Sequence, residues 1–139
     1  MKQGCRYGTH RVLEPKGTLP QPAQKLDNTM ELYDNEMLIS VKTLNIDSAS
    51  FTQIKTACNG DTDRMAKMIT DIVAERGKMQ NPVTGSGGML IGTVKAIGPN
   101  FPAAGVKVGD TIATLVSLSL TPLKIHKIIS VNPKNDQVD

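Results

Sequence analysis

The sequence contains no tryptophan, and two Tyr and two Phe bring the aromatics to only 3% of its 139 residues. Single-stranded nucleic acids are held by stacking bases on aromatic rings, so a chain this poor in rings argues against that mode. Charge of one sign is also lacking. The 16 Lys and Arg stand against 13 Asp and Glu, scattered along the chain for a net +3, whereas phosphate backbones call for a clustered basic stripe. Lys124, His126 and Lys127 form the densest basic patch and read as a solvated face. No apolar run approaches the roughly 18 residues of a membrane span, and no apolar stretch precedes Gly4-Cys5 as a signal peptide or lipoprotein anchor would require. A cytoplasmic protein with neither a nucleic-acid nor a membrane partner is expected. With only two cysteines, Cys5 and Cys58, there is no disulfide framework, and both are expected to be free thiols.

What is present suits one globular domain. At 39% hydrophobic and 21% charged the chain can fill a core from Ile, Val, Leu and seven Met. Pro15, Gly17, Pro20 and Pro22 interrupt residues 1–30, which read as an extended lead-in of the same domain with a short strand near 11–13. Over 36–45, Met37, Ile39, Val41 and Thr43 alternate with Glu36, Leu38, Ser40 and Lys42, the period of a half-buried strand. Between Asp61 and Gly77 the period lengthens. Met65, Met68, Ile69, Ile72 and Val73 share one helical face, with Asp61 or Thr62 to cap its start and Gly77 to stop it. That Met stripe reads as a core face rather than a ligand box. Further strands are predicted over 89–97, over 106–108 and 111–115 around a Gly109-Asp110 turn, and over 124–131. Residues 132–136, polar and Pro-containing, read as a linker. Short strands with one amphipathic helix predict a mainly β domain, an antiparallel barrel or sandwich.

The loop Gly85-Ser86-Gly87-Gly88 invites a phosphate-binding reading. The dinucleotide pattern would need a glycine where Leu90 stands, the phosphate-loop pattern would need a Lys-Ser or Lys-Thr pair, and a strand rather than a helix follows. Two readings stay open: a bend where backbones approach closely, or a loop lining a substrate cleft.

Three segments in order, 41–48 (Val-Lys-Thr-Leu-Asn-Ile-Asp-Ser), 92–98 (Gly-Thr-Val-Lys-Ala-Ile-Gly) and 106–112 (Val-Lys-Val-Gly-Asp-Thr-Ile), resemble the N-terminal, GroES-like domain of the medium-chain dehydrogenases and reductases. Longer stretches, 4–12, 45–53 and 77–92, resemble a narrower group of amino-acid dehydrogenases within that superfamily. The resemblance implies a GroES-like, partly open antiparallel barrel over 31–139, on the substrate side of an enzyme that oxidatively deaminates a 3,5-diamino acid of lysine fermentation with NAD. It implies a Rossmann domain to hold the NAD as this domain's partner in the same enzyme, an amino-acid substrate, and a homo-oligomer. No strand, Gly-rich turn and helix with a following acid can be placed in these 139 residues, so the chain is expected to be one half of such an enzyme and inactive alone.

Zinc-dependent members carry a metal-binding Cys in the first motif and a Gly-His-Glu triplet later; here Asn45 and Gly87-Gly88-Met89 stand at those places. Cys5, His10, Cys58 and His126 offer no convergent set of three or four, so catalytic zinc is not expected. Two residues after the metal-binding Cys, relatives have a Ser or Thr that passes the substrate's proton outward, and the same count from Asn45 reaches Asp47. A carboxylate there could pair with a substrate ammonium or take its proton; equally, an Asp at a strand end makes local turn hydrogen bonds. Asp47 is the candidate catalytic residue, and Asn45, Ser48, Ser50 and Ser86 are candidates to bind substrate. Two other classes compete. A co-chaperonin-like module shares 92–98 and 106–110 but would need a mobile apolar loop and sevenfold assembly, and a non-catalytic small-molecule binding domain would be separated only by activity assays.

Overall fold

The computed structural model describes every residue except Ala104. Strand β1 (Val12–Glu14) and strand β2 (Lys25–Leu26) form a small antiparallel sheet, with Val12, Ala23 and Leu26 as its own buried cluster. The lead-in is therefore folded rather than merely extended. The prolines had masked this, since the two strands are three and two residues long and the turn between them holds the interruptions.

The main sheet has five strands in the order β5-β4-β3-β7-β6, every neighbouring pair antiparallel. Strands β3 (Met37–Ile46) and β4 (Gly88–Ile97) pair along their whole length, with bulges at Leu38/Ile39 and Val41/Thr43. Strand β5 (Thr111–Ala113) lies beyond β4, and β6 (Val131–Asn132) and β7 (Gln137–Val138) form a hairpin on the far side of β3. Among the described residues the sheet is open, with β5 and β6 at its two edges, and does not close into a barrel.

Two helices, not one, connect β3 to β4. Helix α2 (Thr62–Arg76) follows the predicted pattern: the Asp61 carboxylate accepts from the Asp63 and Arg64 amides, Gly77 ends the helix at φ 69°, and Met65, Ile69, Ile72 and Val73 are buried. Helix α1 (Ser48–Ala57) went unforeseen because its apolar stripe is thin. Phe51, Ile54 and the following Cys58 are the buried apolar positions, in a segment whose Ser and Thr are weak helix formers. Both helices pack their stripes on one face of the sheet, against Leu44, Ile46, Leu90 and Val138, with Met79, Leu118 and Leu123 completing the core. No described helix is long and apolar enough to cross a membrane.

Three predicted strands are corrected. Residues 106–108 form no strand, although the Gly109-Asp110 turn is present, with the Asp110 amide donating to the Lys107 carbonyl at 3.1 Å. The strand over 111–115 is shortened to β5. The strand over 124–131 is reduced to its last residue plus Asn132, and the linker expected over 132–136 is instead the end of β6 and the tight turn, 133–136, that joins it to β7.

Candidate functional site

The register of β3 against β4 builds the site. Ile46 faces Gly88, so the residues just outside the ladder, Asp47 and Gly87, are also neighbours, and the Asp47 amide donates to the Gly87 carbonyl at 2.9 Å. Positions some forty apart in sequence are thereby brought side by side. A side chain at Gly88 would run into the Asn45 carbonyl and the Ile46 backbone, so this glycine permits the approach. At Gly88 the glycine loop is thus a close crossing of backbones.

Asp47 caps α1. Its Oδ1 accepts from the Ser50 amide at 3.1 Å and from the Ser86 hydroxyl at 3.0 Å. Among the described residues, no group donates to Oδ2. The Ser50 hydroxyl lies 3.3 Å from that of Thr84 and 3.4 Å from the Ser86 carbonyl, and the Thr84 and Ser86 hydroxyls are 2.8 Å apart. Three of the five predicted site residues, Asp47, Ser50 and Ser86, therefore meet. Asn45, on β3, and Ser48, exposed at the start of α1, stand beside the cluster but make no side-chain hydrogen bond among the described residues.

Sequence reasoning missed Thr84 and Asn81. Asn81 is fully buried: its Oδ1 accepts from the Val83 amide at 2.9 Å, its Nδ2 donates to Gln53 Oε1 at 2.8 Å, and its backbone binds Gly85 and Ser86. It folds the 81–86 loop so that Thr84 and Ser86 face α1. The signal was the Asn-Pro pair followed by alternating hydroxyls, a turn pattern whose side-chain partner could not be known without the helix opposite. The cluster is open to one side, with Thr84 exposed and Asp47 and Ser86 half-buried. Two grooves of about 290 and 540 Å³ lie elsewhere on the sheet, and no residue of the cluster lines either.

A second polar cluster, at the opposite end of β3, is closed on itself. Arg11 is buried, and Nε and Nη2 grip Glu36 at 2.8 and 2.7 Å while its remaining N–H groups reach the carbonyls of Asp27, Thr29 and Glu31. His10 Nδ1 accepts from the Cys5 amide, so Nε2 carries the proton and donates to Glu36 at 2.9 Å. Burial pushes the Glu36 carboxyl up, but the bonds from Arg11, the Tyr33 amide and His10 outweigh it and hold its pKa at about 2. Arg11, Glu36 and the two ring nitrogens of His10 are all partnered, so these three side chains form a clamp; beside them Asn35 donates to the Cys5 carbonyl while its buried Oδ1 has no partner among the described residues. Nowhere among the described residues do three His, Cys, Asp or Glu side chains gather as a metal site needs, and the two thiols are unpaired.

Residues 10–139 match the family described as L-erythro-3,5-diaminohexanoate dehydrogenase N-terminal domain. The chain belongs to this family. A Fusobacterium nucleatum protein named L-erythro-3,5-diaminohexanoate dehydrogenase is 62% identical over 140 residues, covering 100% of this chain and 41% of that protein. An Acetoanaerobium sticklandii protein of the same name is 61% identical over 138 residues, covering 99% of this chain and 40% of that protein. The chain thus spans about two fifths of the length of these family members, and the description places the matched stretch at the N-terminal end.

Proposed function

We propose that this chain is the N-terminal, substrate-side domain of an NAD-dependent dehydrogenase that oxidatively deaminates L-erythro-3,5-diaminohexanoate to 5-amino-3-oxohexanoate and ammonium in lysine fermentation. The observation that carries the reading is the family match over 10–139, joined by relatives of that name at 61 and 62% identity. The segments that suggested a GroES-like domain of the medium-chain superfamily lie on β3, on β4 and at the turn into β5, three consecutive strands of one sheet, which supports that assignment. The residues present do not fit a dinucleotide. The sheet is antiparallel throughout, and the glycine loop leads into β4 instead of a helix. Holding NAD falls to the part of the longer protein beyond this stretch.

What this chain contributes is a carboxylate with one oxygen held and one unused. The Ser50 amide and the Ser86 hydroxyl fix Asp47 Oδ1, which leaves Oδ2 to accept from a substrate ammonium group and take its proton, so that the amine is neutral when its carbon is oxidised. Ser86, itself bonded to Thr84, orients the carboxylate, and Asn45 and Ser48 flank Asp47 in the chain. The test is turnover of L-erythro-3,5-diaminohexanoate by the longer protein, unsubstituted and with Asp47→Asn. Asparagine caps helices about as well as aspartate, so the substitution keeps the bond to Ser50 and the melting temperature. Turnover of the substituted protein should fall on the order of 100-fold or more, the usual cost of losing a proton-transfer group. Retained turnover would reduce Asp47 to a helix cap, and an inactive unsubstituted protein would remove the assignment of activity itself.

A further inference from the structure

Strand β3 is paired with β4 from Met37 to Ile46 on one side, but with β7 only at Leu44 and Asn45 on the other. Its second edge from Thr43 back to Met37 has no ladder among the described residues, an unusual state for a strand in the middle of a sheet. Beside that edge runs the groove of about 540 Å³. One wall is β3 from Leu38 to Lys42, the other is the stretch 124–129, which has no ladder and bends at His126, and Val138 and Asp139 close one end.

The two ladders of β7 say what the groove is shaped for. Leu44 faces Val138 and Val131 faces Val138 from the opposite side. Each step beyond Asp139 moves one residue back along both neighbours. To within a residue at the β3 bulge, the five positions after Asp139 fall opposite residues 42 to 38 on one side; on the other, the Ile129 and Ser130 amides both donate to the Asp139 carbonyl, so the register slips there and the continuation runs beside the groove-lining residues before Ile129. At β7 the two walls stand two strand spacings apart, roughly 10 Å, the room one strand needs, and the groove opens from there. The Asp139 carbonyl already accepts from the Ile129 amide at 2.6 Å, so the chain is aimed along the groove where it leaves the structure.

We propose that this groove is the seat of the chain's own continuation: in the longer protein the residues directly after Asp139 extend β7 and complete the sheet. The family description makes 10–139 an N-terminal domain and the relatives run well beyond it, so such a continuation exists there. Alternation puts the first, third and fifth residues after Asp139 on the face of Val138, the face on which Ile39 packs against the core; these positions are apolar. The rim carries Lys42, Lys95, Lys124 and Lys127, so the opposite face of the occupant is neutral or acidic. The same occupant accounts for the strand-like sequence of 124–130, which lacks a ladder here. It is independent of the activity proposed above.

Amide exchange in the longer protein tests this. Residues 38–42 and 125–129 should exchange on the order of 100-fold or more slowly than in the same protein with prolines at the first and third positions after Asp139, which cannot donate to a ladder. Rapid exchange in the unsubstituted protein would overturn the proposal, as would protection that survives the prolines. Protection that disappears on dilution together with a dimer would also overturn it, because a second copy would then be the occupant. Should the proline variant unfold, seen as lost protection at buried Ile69, the exchange of the unsubstituted protein still decides.

Discussion

A single carboxylate can spend both oxygens on its own fold or only one: Glu36 does the first, and Asp47, which caps α1 through Oδ1 and is proposed to serve the reaction through Oδ2, does the second. Glu36 spends both oxygens on Arg11, His10 and the Tyr33 amide, and its pKa of about 2 lies below the ordinary 4.5. A depressed carboxyl stabilises the fold fully above its unfolded value and loses that contribution as pH falls through the folded one. Glu36→Gln should therefore cost roughly 3 kcal/mol at neutral pH, as when a buried guanidinium loses its partner. The gap from the unsubstituted protein should close between pH 4.5 and about 2. Urea unfolding at a series of pH values measures it, and a gap constant across that window would mean that Glu36 is not the group that titrates. Asp47 is the contrasting case, and it was legible in the sequence by its place in a motif. Its two hydrogen-bond partners were legible only in part: Ser50 and Ser86 were named as neighbours of a cleft, but their bonds to one carboxylate oxygen depend on a helix that the sequence did not announce.

Among the elements, those with a strong period were readable and those ordered by their neighbours were not. Strands β3 and β4 and helix α2 appear within a residue or two of expectation because alternation or a broad apolar stripe dictates them. Helix α1 owes its existence to the Asp47 cap and to packing of Phe51 and Ile54, and β6 and β7 are too short to carry a pattern. The crossing of β3 and β4 at the site rests on Gly88, at φ 143° and pressed against the backbone of Asn45 and Ile46. Gly88→Ala should lose roughly 2 to 3 kcal/mol, since an unfavourable φ and a backbone clash act together. Gly85→Ala provides the control. That residue also has a positive φ, 73°, but open space around it, so only the conformational cost of about 1 to 2 kcal/mol applies. Equal losses in chemical denaturation would show that contact with β3 contributes nothing.

At the scale of the whole molecule, the question is how the lead-in is bound to the body, since its own cluster holds only Val12, Ala23 and Leu26. Polar side chains near the end of α2 do much of this. Lys78, fully buried, donates to the Pro20 and Gln21 carbonyls at 2.8 and 3.2 Å; Arg76 donates to the Gln24 carbonyl at 3.0 Å; and Asn28 donates to the Leu123 carbonyl at 2.8 Å. Among the described residues Lys78 has no carboxylate partner within salt-bridge distance, and burial together with the nearby Arg76 charge lowers its pKa from 10.5 to about 8. The charged ammonium is therefore a cost to the native state. Below pH 8 both folded and unfolded chains carry the proton and the cost is fully felt; between about 8 and 10.5 only the unfolded chain keeps it, and stability rises with pH. Lys78→Met removes the titrating group while keeping an unbranched chain of similar length. The difference in unfolding free energy, unsubstituted minus Lys78→Met, should climb between pH 8 and 10.5 by at most about 3 kcal/mol, the ceiling set by a shift of that size. Below pH 8 the sign of the difference shows whether binding two carbonyls outweighs burying a charge. Parallel curves across the alkaline window would mean that the ammonium stays hydrated, and that the lead-in is held without the buried Lys78 bond.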